Sequence, residues 1–189
     1  MDSGDTRIAP RASTLNEASV SMRLELIVLP VSDIDRAKHF YADLGWRLDI
    51  DHTAGNDLRI IQFTPPGSDC SIMFGKNVTT AKPGSMQGLH LIVANLALVR
   101  DEMLLRGIAI SEPFHDSGRV FHRVGPEGHV KGFIPQRKSY ASYASFSDPD
   151  GNGWVFQEVT ARLTGDLPPG ETNFTDELAN AVRSAVTGA

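Results

Sequence analysis

The feature that most constrains the fold is an internal repeat with a constant spacing of 62 residues. Val31 and Val93, Asp33 and Asn95, and Gly45 and Gly107 are each 62 positions apart. Asp and Asn are helix N-cap residues, and Gly commonly follows the last turn of a helix, so the two predicted helices have equal lengths. A repeat of this kind indicates two copies of one supersecondary unit.

Each copy is predicted to run strand, helix and three further strands. Apolar runs predict the buried strands, and alternation of apolar and polar residues predicts the half-buried ones. The predicted strands are 23–31, 46–53, 58–64 and 70–75 in the first copy, and 88–93, 108–114, 139–147 and 153–159 in the second. The fold class is therefore α+β, with two βαβββ modules in tandem.

The repeat also divides the chain into segments. We expect a disordered leader at 1–22, the first module at 23–75, a polar linker at 76–87, the second module at 88–161 and a tail at 162–189. The second module is 22 residues longer than the first, and we place the extra residues in an inserted loop near 116–138. Such a long loop is typical of a binding loop or a lid. In the tail, Thr175 can cap a short helix.

Composition limits the partners. The formal net charge is −5, which disfavours a nucleic-acid partner. No apolar run approaches the ~18 residues of a membrane span. A lone cysteine, Cys70, excludes an internal disulfide, and with the absence of a signal peptide this favours the cytoplasm.

The segment from Asp148 to Gly153, D-P-D-G-N-G, matches the first half of a calcium-binding loop. That loop needs a glutamate at its twelfth position, where this chain has Val159. The residues that follow also alternate like a strand rather than a helix. We therefore interpret the segment as a turn in which Gly151 and Gly153 supply unusual dihedral angles.

Two longer stretches resemble a known family. VSDIDRAKHFYADLGWRL, from Val31, and FSDPDGNGWVFQEV, from Phe146, are similar to motifs of the vicinal oxygen chelate superfamily. That superfamily includes glyoxalase I, extradiol dioxygenases, fosfomycin-resistance enzymes and bleomycin-binding proteins. The resemblance implies two modules forming a curled mixed sheet around a small-molecule cavity, and it favours a homodimer.

The resemblance also implies where a catalytic metal would bind. Metal-using members carry a His or Gln on the first strand of each module and a Glu on the last. Here the matching positions are Leu26 and Gly88 on the first strands, Val155 on the last strand, and Ser71 or Met73 in the first module. These residues are not usual metal ligands. We expect no metal and no other cofactor.

Four polar residues are the candidate ligand contacts. His90 has even spacing with Gly88 and Ile92, so it should face the cavity, and Gln157 shares a strand face with Val155. Gln62 interrupts an apolar strand, and His115 ends one. His122 and His129 complete a set of loop histidines whose spacing of seven matches no compact metal motif.

Three functions remain open from the sequence. The favoured one is a small-molecule-binding protein of the bleomycin-resistance type without the family's metal. The second is a glyoxalase-like lyase or isomerase, or a dioxygenase, using an atypical metal site or acid–base chemistry by His90. The third is an interaction protein with a vestigial cavity.

Overall fold

Two β-sheets, each packed against one helix, form the architecture. The computed structural model describes residues 22–117 and 128–160. The predicted leader (except residue 22), the middle of the predicted insertion with His122, and the predicted tail helix lie outside those residues.

The first module is a four-stranded sheet with one helix. Its elements are β1 (Leu26–Val28), α1 (Ile34–Asp43), β2 (Arg47–Ala54), β3 (Leu58–Thr64) and β4 (Ser71–Lys76). The strand order is β1-β4-β3-β2, with β1 parallel to β4 and the other pairs antiparallel. The connection from β1 to β4, through α1, β2 and β3, is the long crossover that a parallel pair requires.

The second module is a five-stranded sheet with one helix. Its elements are β5 (Leu89–Val93), α2 (Leu96–Leu105), β6 (Phe114–Asp116), β7 (His129–Lys131), β8 (Tyr143–Ser147) and β9 (Gly153–Glu158). A short 3-10 helix, Pro135–Arg137, precedes β8. The order is β5-β9-β8-β6-β7, with β5 parallel to β9. The predicted α+β fold of two βαβββ modules is confirmed.

The two helices match as the repeat predicts. Each has ten residues, and each begins with an N-cap side chain that accepts a hydrogen bond from the backbone three residues on. Asp33 accepts from the N–H of Arg36, and Asn95 accepts from that of Leu98. Gly45 follows α1 with a φ of 77°, a left-handed conformation that favours glycine.

The second module departs from the prediction at two strands. The segment 108–114 forms only an isolated bridge at Ile110, because the hydroxyl of Ser111, and not its carbonyl, accepts the N–H of Ser145. Pro113 next to it has no N–H to donate. Strand β6 therefore begins at Phe114, and its partner β7 lies in the predicted insertion.

One hydrophobic core joins the two modules. Tyr41 of α1 contacts Phe63 and Phe74 of the first sheet, and it also contacts Trp154 of the second sheet edge-on at 6.3 Å between ring centroids. Phe40 likewise reaches Phe146 at 6.4 Å. Helix α1 thus packs on its own sheet and on the other, so the modules form one interior.

A buried polar junction fixes this packing. Asp148 accepts hydrogen bonds from the hydroxyl of Tyr41 and from the side-chain amide of Asn152 through Oδ2. Its Oδ1 accepts from the N–H groups of Asp150 and Asn152. Because these donors occupy both carboxylate oxygens, the D-P-D-G-N-G segment forms a turn that holds the modules together.

The neighbouring carboxylate, Asp150, adds a second connection. Its Oδ1 accepts from the N–H and the hydroxyl of Ser32 and from Arg36, at 3.0 Å from Nη2. The amide of Asn152 donates to the carbonyl of Pro30 at 3.0 Å. These bonds connect the start of α1 to the loop before β9, more than 110 residues away in the chain.

The shared core determines which faces of the sheets turn outward. Every second residue of a central strand points into the core. The inward residues include Ile61, Phe63, Ile72 and Phe74 in the first sheet and Trp154 and Phe156 in the second. The opposite face of each sheet therefore points away from the other module. Neither described helix is long and apolar enough to span a membrane.

We predict that Asp148→Asn lowers the free energy of unfolding by about 1–3 kcal/mol, because its new amide opposes the donor of Asn152 and leaves a buried group unpaired. Urea denaturation at pH 7 measures this. Asp101→Asn is the matched control, since Asp101 is exposed on α2 and should change stability by less than ~0.5 kcal/mol. Equal effects of the two changes would contradict the role assigned to the junction.

Candidate functional site

The outward face of the second sheet carries two cross-strand rows of side chains. In one row Ile92, Gln157, Tyr143 and Phe114 are register partners across four strands. In the other, His90, Val155 and Ser145 are partners across three. The predicted contacts His90 and Gln157 thus share one face, as their parity indicates.

Gln157 is held in one orientation. Its Nε2 donates to the carbonyl of Tyr140 at 2.9 Å and approaches the hydroxyl of Tyr143 at 3.4 Å. The hydroxyl of Tyr143 also donates to the Tyr140 carbonyl, at 2.7 Å. A carbonyl only accepts, so the side-chain nitrogen, and not the oxygen, must face Tyr140.

An aromatic cluster lies beside Gln157. The ring of Phe114 stacks on Tyr143 at 5.7 Å and on His129 at 4.2 Å between centroids. Phe114, Tyr143 and Val155 are buried. Burial, with the nearby carboxylate of Asp116, raises the pKa of Tyr143 to about 12, so this hydroxyl keeps its proton at physiological pH.

The outward face of the first sheet carries a mainly apolar row. Val28, Met73, Gln62 and Ile50 are register partners across β1, β4, β3 and β2. Ile50 is 39% exposed. The predicted contact Gln62 is partly buried in the middle of this row. The structure therefore places it on a different face from His90 and Gln157.

The same face holds a chain of polar groups that the sequence did not reveal. The hydroxyls of Ser71 and Thr64 lie 2.7 Å apart, and Thr64 also bonds to the carboxylate of Asp49. A β-bulge between Leu48 and Ile50 places Asp49 there. Strand alternation places Ser71 on the face of Met73 and Thr64 on the face of Gln62, and this could have been predicted from the sequence. The bulge that brings Asp49 to them could not.

The family's metal-ligand positions lie on these outward faces. Leu26 and Ser71 are register partners on the first sheet, and Val155 pairs with His90 on the second. Within residues 22–117 and 128–160, no three His, Cys, Asp or Glu side chains are grouped as a metal site. The expectation of no metal stays a prediction.

His115 occupies a different environment. Strand alternation puts it on the face of β6 opposite to Phe114. Its ring Nδ1 lies 3.0 Å from the carbonyl of Gly132. The structure thus separates His115 from His90 and Gln157, and its predicted ligand contact stays untested.

A buried ion pair anchors the loop that orients Gln157. Glu158, whose side chain is 2% exposed, accepts hydrogen bonds from Arg137 and from the N–H of Leu96 at the start of α2. Burial by itself would raise the pKa of Glu158, but the bonds from Arg137 and Leu96 outweigh it, so the pKa is lowered. Arg137 precedes Tyr140, so this pair positions the carbonyl that holds Gln157.

A groove also lies between the modules, lined by Trp46, Leu91, Met103 and Phe156 among others. Its volume is about 280 Å³. Typical pockets for drug-sized ligands have roughly 300–1,000 Å³. The groove is therefore close to the lower limit of that range.

Comparison with known proteins supplies the family and the fold. The family model described as Glyoxalase/Bleomycin resistance protein/Dioxygenase superfamily matches residues 23–156. No match was found among curated proteins.

Several solved structures are similar. TnmS3, an antibiotic binding protein from Streptomyces sp. CB03234, is 27% identical, with a TM-score of 0.52, covering 75% of this chain and 98% of that one. A glyoxalase/bleomycin resistance protein from the same organism is 27% identical, with a TM-score of 0.50, covering 72% and 100%. A superfamily member from Sphaerobacter thermophilus DSM 20745 shares the fold at 22% identity and a TM-score of 0.53, covering 73% and 98%.

We predict that Glu158→Gln lowers stability at pH 7 by about 1–3 kcal/mol through loss of its charge-assisted bonds. Because the folded-state pKa is below the ordinary value, the contribution is complete above the unfolded-state pKa and is lost as the pH falls through the folded-state value. Thermal unfolding from pH 7 to pH 3 should show the two proteins converging. A constant difference across that range would contradict the assignment.

The control for this prediction is Glu102→Gln. Glu102 forms an exposed pair with Arg106 on α2, its own side chain being 57% exposed. Such pairs contribute about 0–1 kcal/mol, so this change should have little effect at any pH.

Proposed function

This chain belongs to the Glyoxalase/Bleomycin resistance protein/Dioxygenase superfamily, and we propose that it is a small-molecule-binding protein of the bleomycin-resistance type that works without the family's metal. The observation that carries the proposal is which side chains the two outward sheet faces have at the metal-ligand positions. At the positions where the resemblance implies metal ligands, these faces carry Leu26 on β1, Ser71 on β4 and Val155 on β9. Such side chains suit contact with an organic molecule better than coordination.

The exposed apolar side chains support this proposal. Ile50 and Ile92, 39% and 48% exposed, lie on the two outward faces. Exposed apolar residues grouped on a surface commonly mark a ligand or subunit interface. His90, Gln157 and Gln62 are the polar groups that we propose contact the ligand.

The similarity to TnmS3 favours a particular kind of ligand. That protein is an antibiotic binding protein, and the similarity covers 98% of its chain. We propose that this chain also binds an antibiotic or a compound of similar size. A cytoplasmic site of action agrees with its single cysteine.

We further propose that two copies are needed to close the cavity. The outward faces of one chain point away from each other because both sheets pack on one core. Among the described strands, β1 pairs only with β4 and β5 only with β9, so each has one edge available to a second chain. A two-fold homodimer would place the first sheet of one copy beside the second sheet of the other, giving two equal cavities.

The oligomer prediction is tested by Ile92→Lys. A charge on the edge strand β5 should be desolvated in the dimer, so we expect a monomer and loss of ligand binding. Light scattering coupled to size exclusion measures the molar mass. Leu105→Lys is the control because Leu105 is 90% exposed on α2, outside both faces, and it should leave a dimer. A wild-type protein that is monomeric at high concentration would overturn the two-copy cavity.

Binding is tested by calorimetry against bleomycin, glycopeptide antibiotics, catechols and thiol conjugates. We expect at least one class to bind at one molecule per chain. A blank result for every class would overturn the binding function. Elemental analysis of protein purified without chelators is the companion measurement, and stoichiometric zinc, nickel, iron or manganese would overturn the metal-independent mode.

A further inference from the structure

We propose that the segment 175–187, which follows the described residues, forms an amphipathic helix that packs on the outer side of α2 in the same chain. The surface that receives it is the leucine face of α2, made of Leu98, Leu104 and Leu105. This contact is independent of the proposed ligand site, because the leucine face belongs to the helix layer and not to either outward sheet face.

Helix α2 exposes apolar residues on the side that normally faces water. A helix packed on a sheet usually has an apolar inner side and a polar outer side. In α2 the inner residues Leu96 and Met103 are buried, yet Leu98, Leu104 and Leu105 are 65%, 45% and 90% exposed. Grouped exposed apolar residues commonly mark an interaction surface.

The internal repeat shows that the fold does not require these leucines. The positions 62 residues earlier, on α1, are Arg36, Ala42 and Asp43, and all three are exposed. The outer side of α1 is therefore charged or small at the positions where α2 has leucine. Because both helices have the same length and the same place in their modules, the leucines indicate a contact that the first module does not make.

The described part of the chain ends beside the first turn of α2. The N–H of Val159 donates to the carbonyl of Val93 at 2.9 Å. The carboxylate of the preceding residue, Glu158, accepts from the N–H of Leu96 at 3.0 Å. The residues that follow Thr160 therefore start next to the helix that carries the leucine face.

The intervening segment is long enough to reach any part of that face. Residues 161–174 include two prolines and two glycines, which favour a loop over a helix or strand. A flexible linker of these fourteen residues has an end-to-end distance of roughly 20 Å. The ten residues of α2 span about 15 Å. A helix that begins near Thr175 can thus lie along the whole of α2.

The sequence of 175–187 has the pattern of a helix with one apolar side. Thr175 is an N-cap type of residue, and Asp176 and Glu177 suit the first turn. A helix of about twelve residues is marginal in water without a packing partner, so this segment needs a surface for its apolar side. The apolar residues at helical spacing are Leu178, Val182, Ala185 and Val186.

Charge favours the segment 175–187 over a second copy of α2 as the occupant. Leu98 and Leu105 lie on either side of the exposed acids Asp101 and Glu102. Two leucine faces stacked about a two-fold axis would bring these like charges together. In the predicted helix, Arg183 lies about 100° around the axis from Val182, at the edge of the apolar side, where it can meet Asp101.

A disulfide scan tests the contact in the chain of 189 residues. Cys70→Ser removes the native thiol, and Leu105→Cys places one thiol on the leucine face. The second thiol is introduced singly by Leu178→Cys, Val182→Cys or Ala185→Cys. We expect at least one of these pairs to form an intrachain disulfide in most molecules under mild oxidation, measured as loss of free thiols and altered migration on a non-reducing gel.

Asn180→Cys, paired with Leu105→Cys, is the matched control because it lies on the opposite side of the predicted helix. It should form the disulfide at least about threefold more slowly than the best pair, since helix geometry points its thiol away from α2. Equal rates at the control and stripe positions would overturn the docking. A disulfide that joins two chains, seen as a doubled mass, would contradict a contact within one chain.

A double-mutant cycle tests whether the two surfaces stabilise each other. Leu105→Ala and Val182→Ala preserve helix propensity, so a loss of stability reports lost packing. We expect each change to lower the thermal midpoint by about 2–4 °C. The double variant should fall no further than the larger single effect, because both changes remove one shared contact.

Asn180→Ala is the control for this cycle and should shift the midpoint by less than about 1 °C. A leucine that stayed uncovered would lose little stability on shortening to alanine. An unchanged midpoint for Leu105→Ala would therefore refute the contact, as would fully additive effects of the two changes.

Discussion

Asp148 accepts four hydrogen bonds at the junction of the two modules, and the one from Tyr41 crosses from the first module to the second. A buried carboxylate is tolerable only when such donors surround it. The two modules have little freedom to move relative to each other, because displacing either one would leave the Asp148 carboxylate and the Tyr41 hydroxyl buried without this hydrogen bond. Burial and the adjacent Asp148 charge raise the pKa of Tyr41, so its proton stays in place. The outward direction of both sheet faces follows from this arrangement.

The sequence predicted the parts of this fold that local rules control. The 62-residue spacing predicted two helices of equal length with the correct caps, and strand parity put His90 and Gln157 on one face. Contacts between distant segments were not predictable. The bulge beside Asp49 shifts the register between β2 and β3, and no residue type in that segment predicts the shift. The hairpin of β6 and β7 pairs short segments whose alternation is too brief to detect.

The repeat also shows how duplicated parts diverge. The turn that begins after Thr64 and the turn that begins after Asp148 stand 84 residues apart, at equivalent places in the two copies. In the second copy the residue before the turn joins the modules. In the first copy the equivalent residue, Thr64, donates a hydrogen bond to Asp49 and contacts Ser71, both on the outward face of the first sheet. The same position of the repeat therefore connects the two modules in one copy and orders polar groups on a single sheet face in the other.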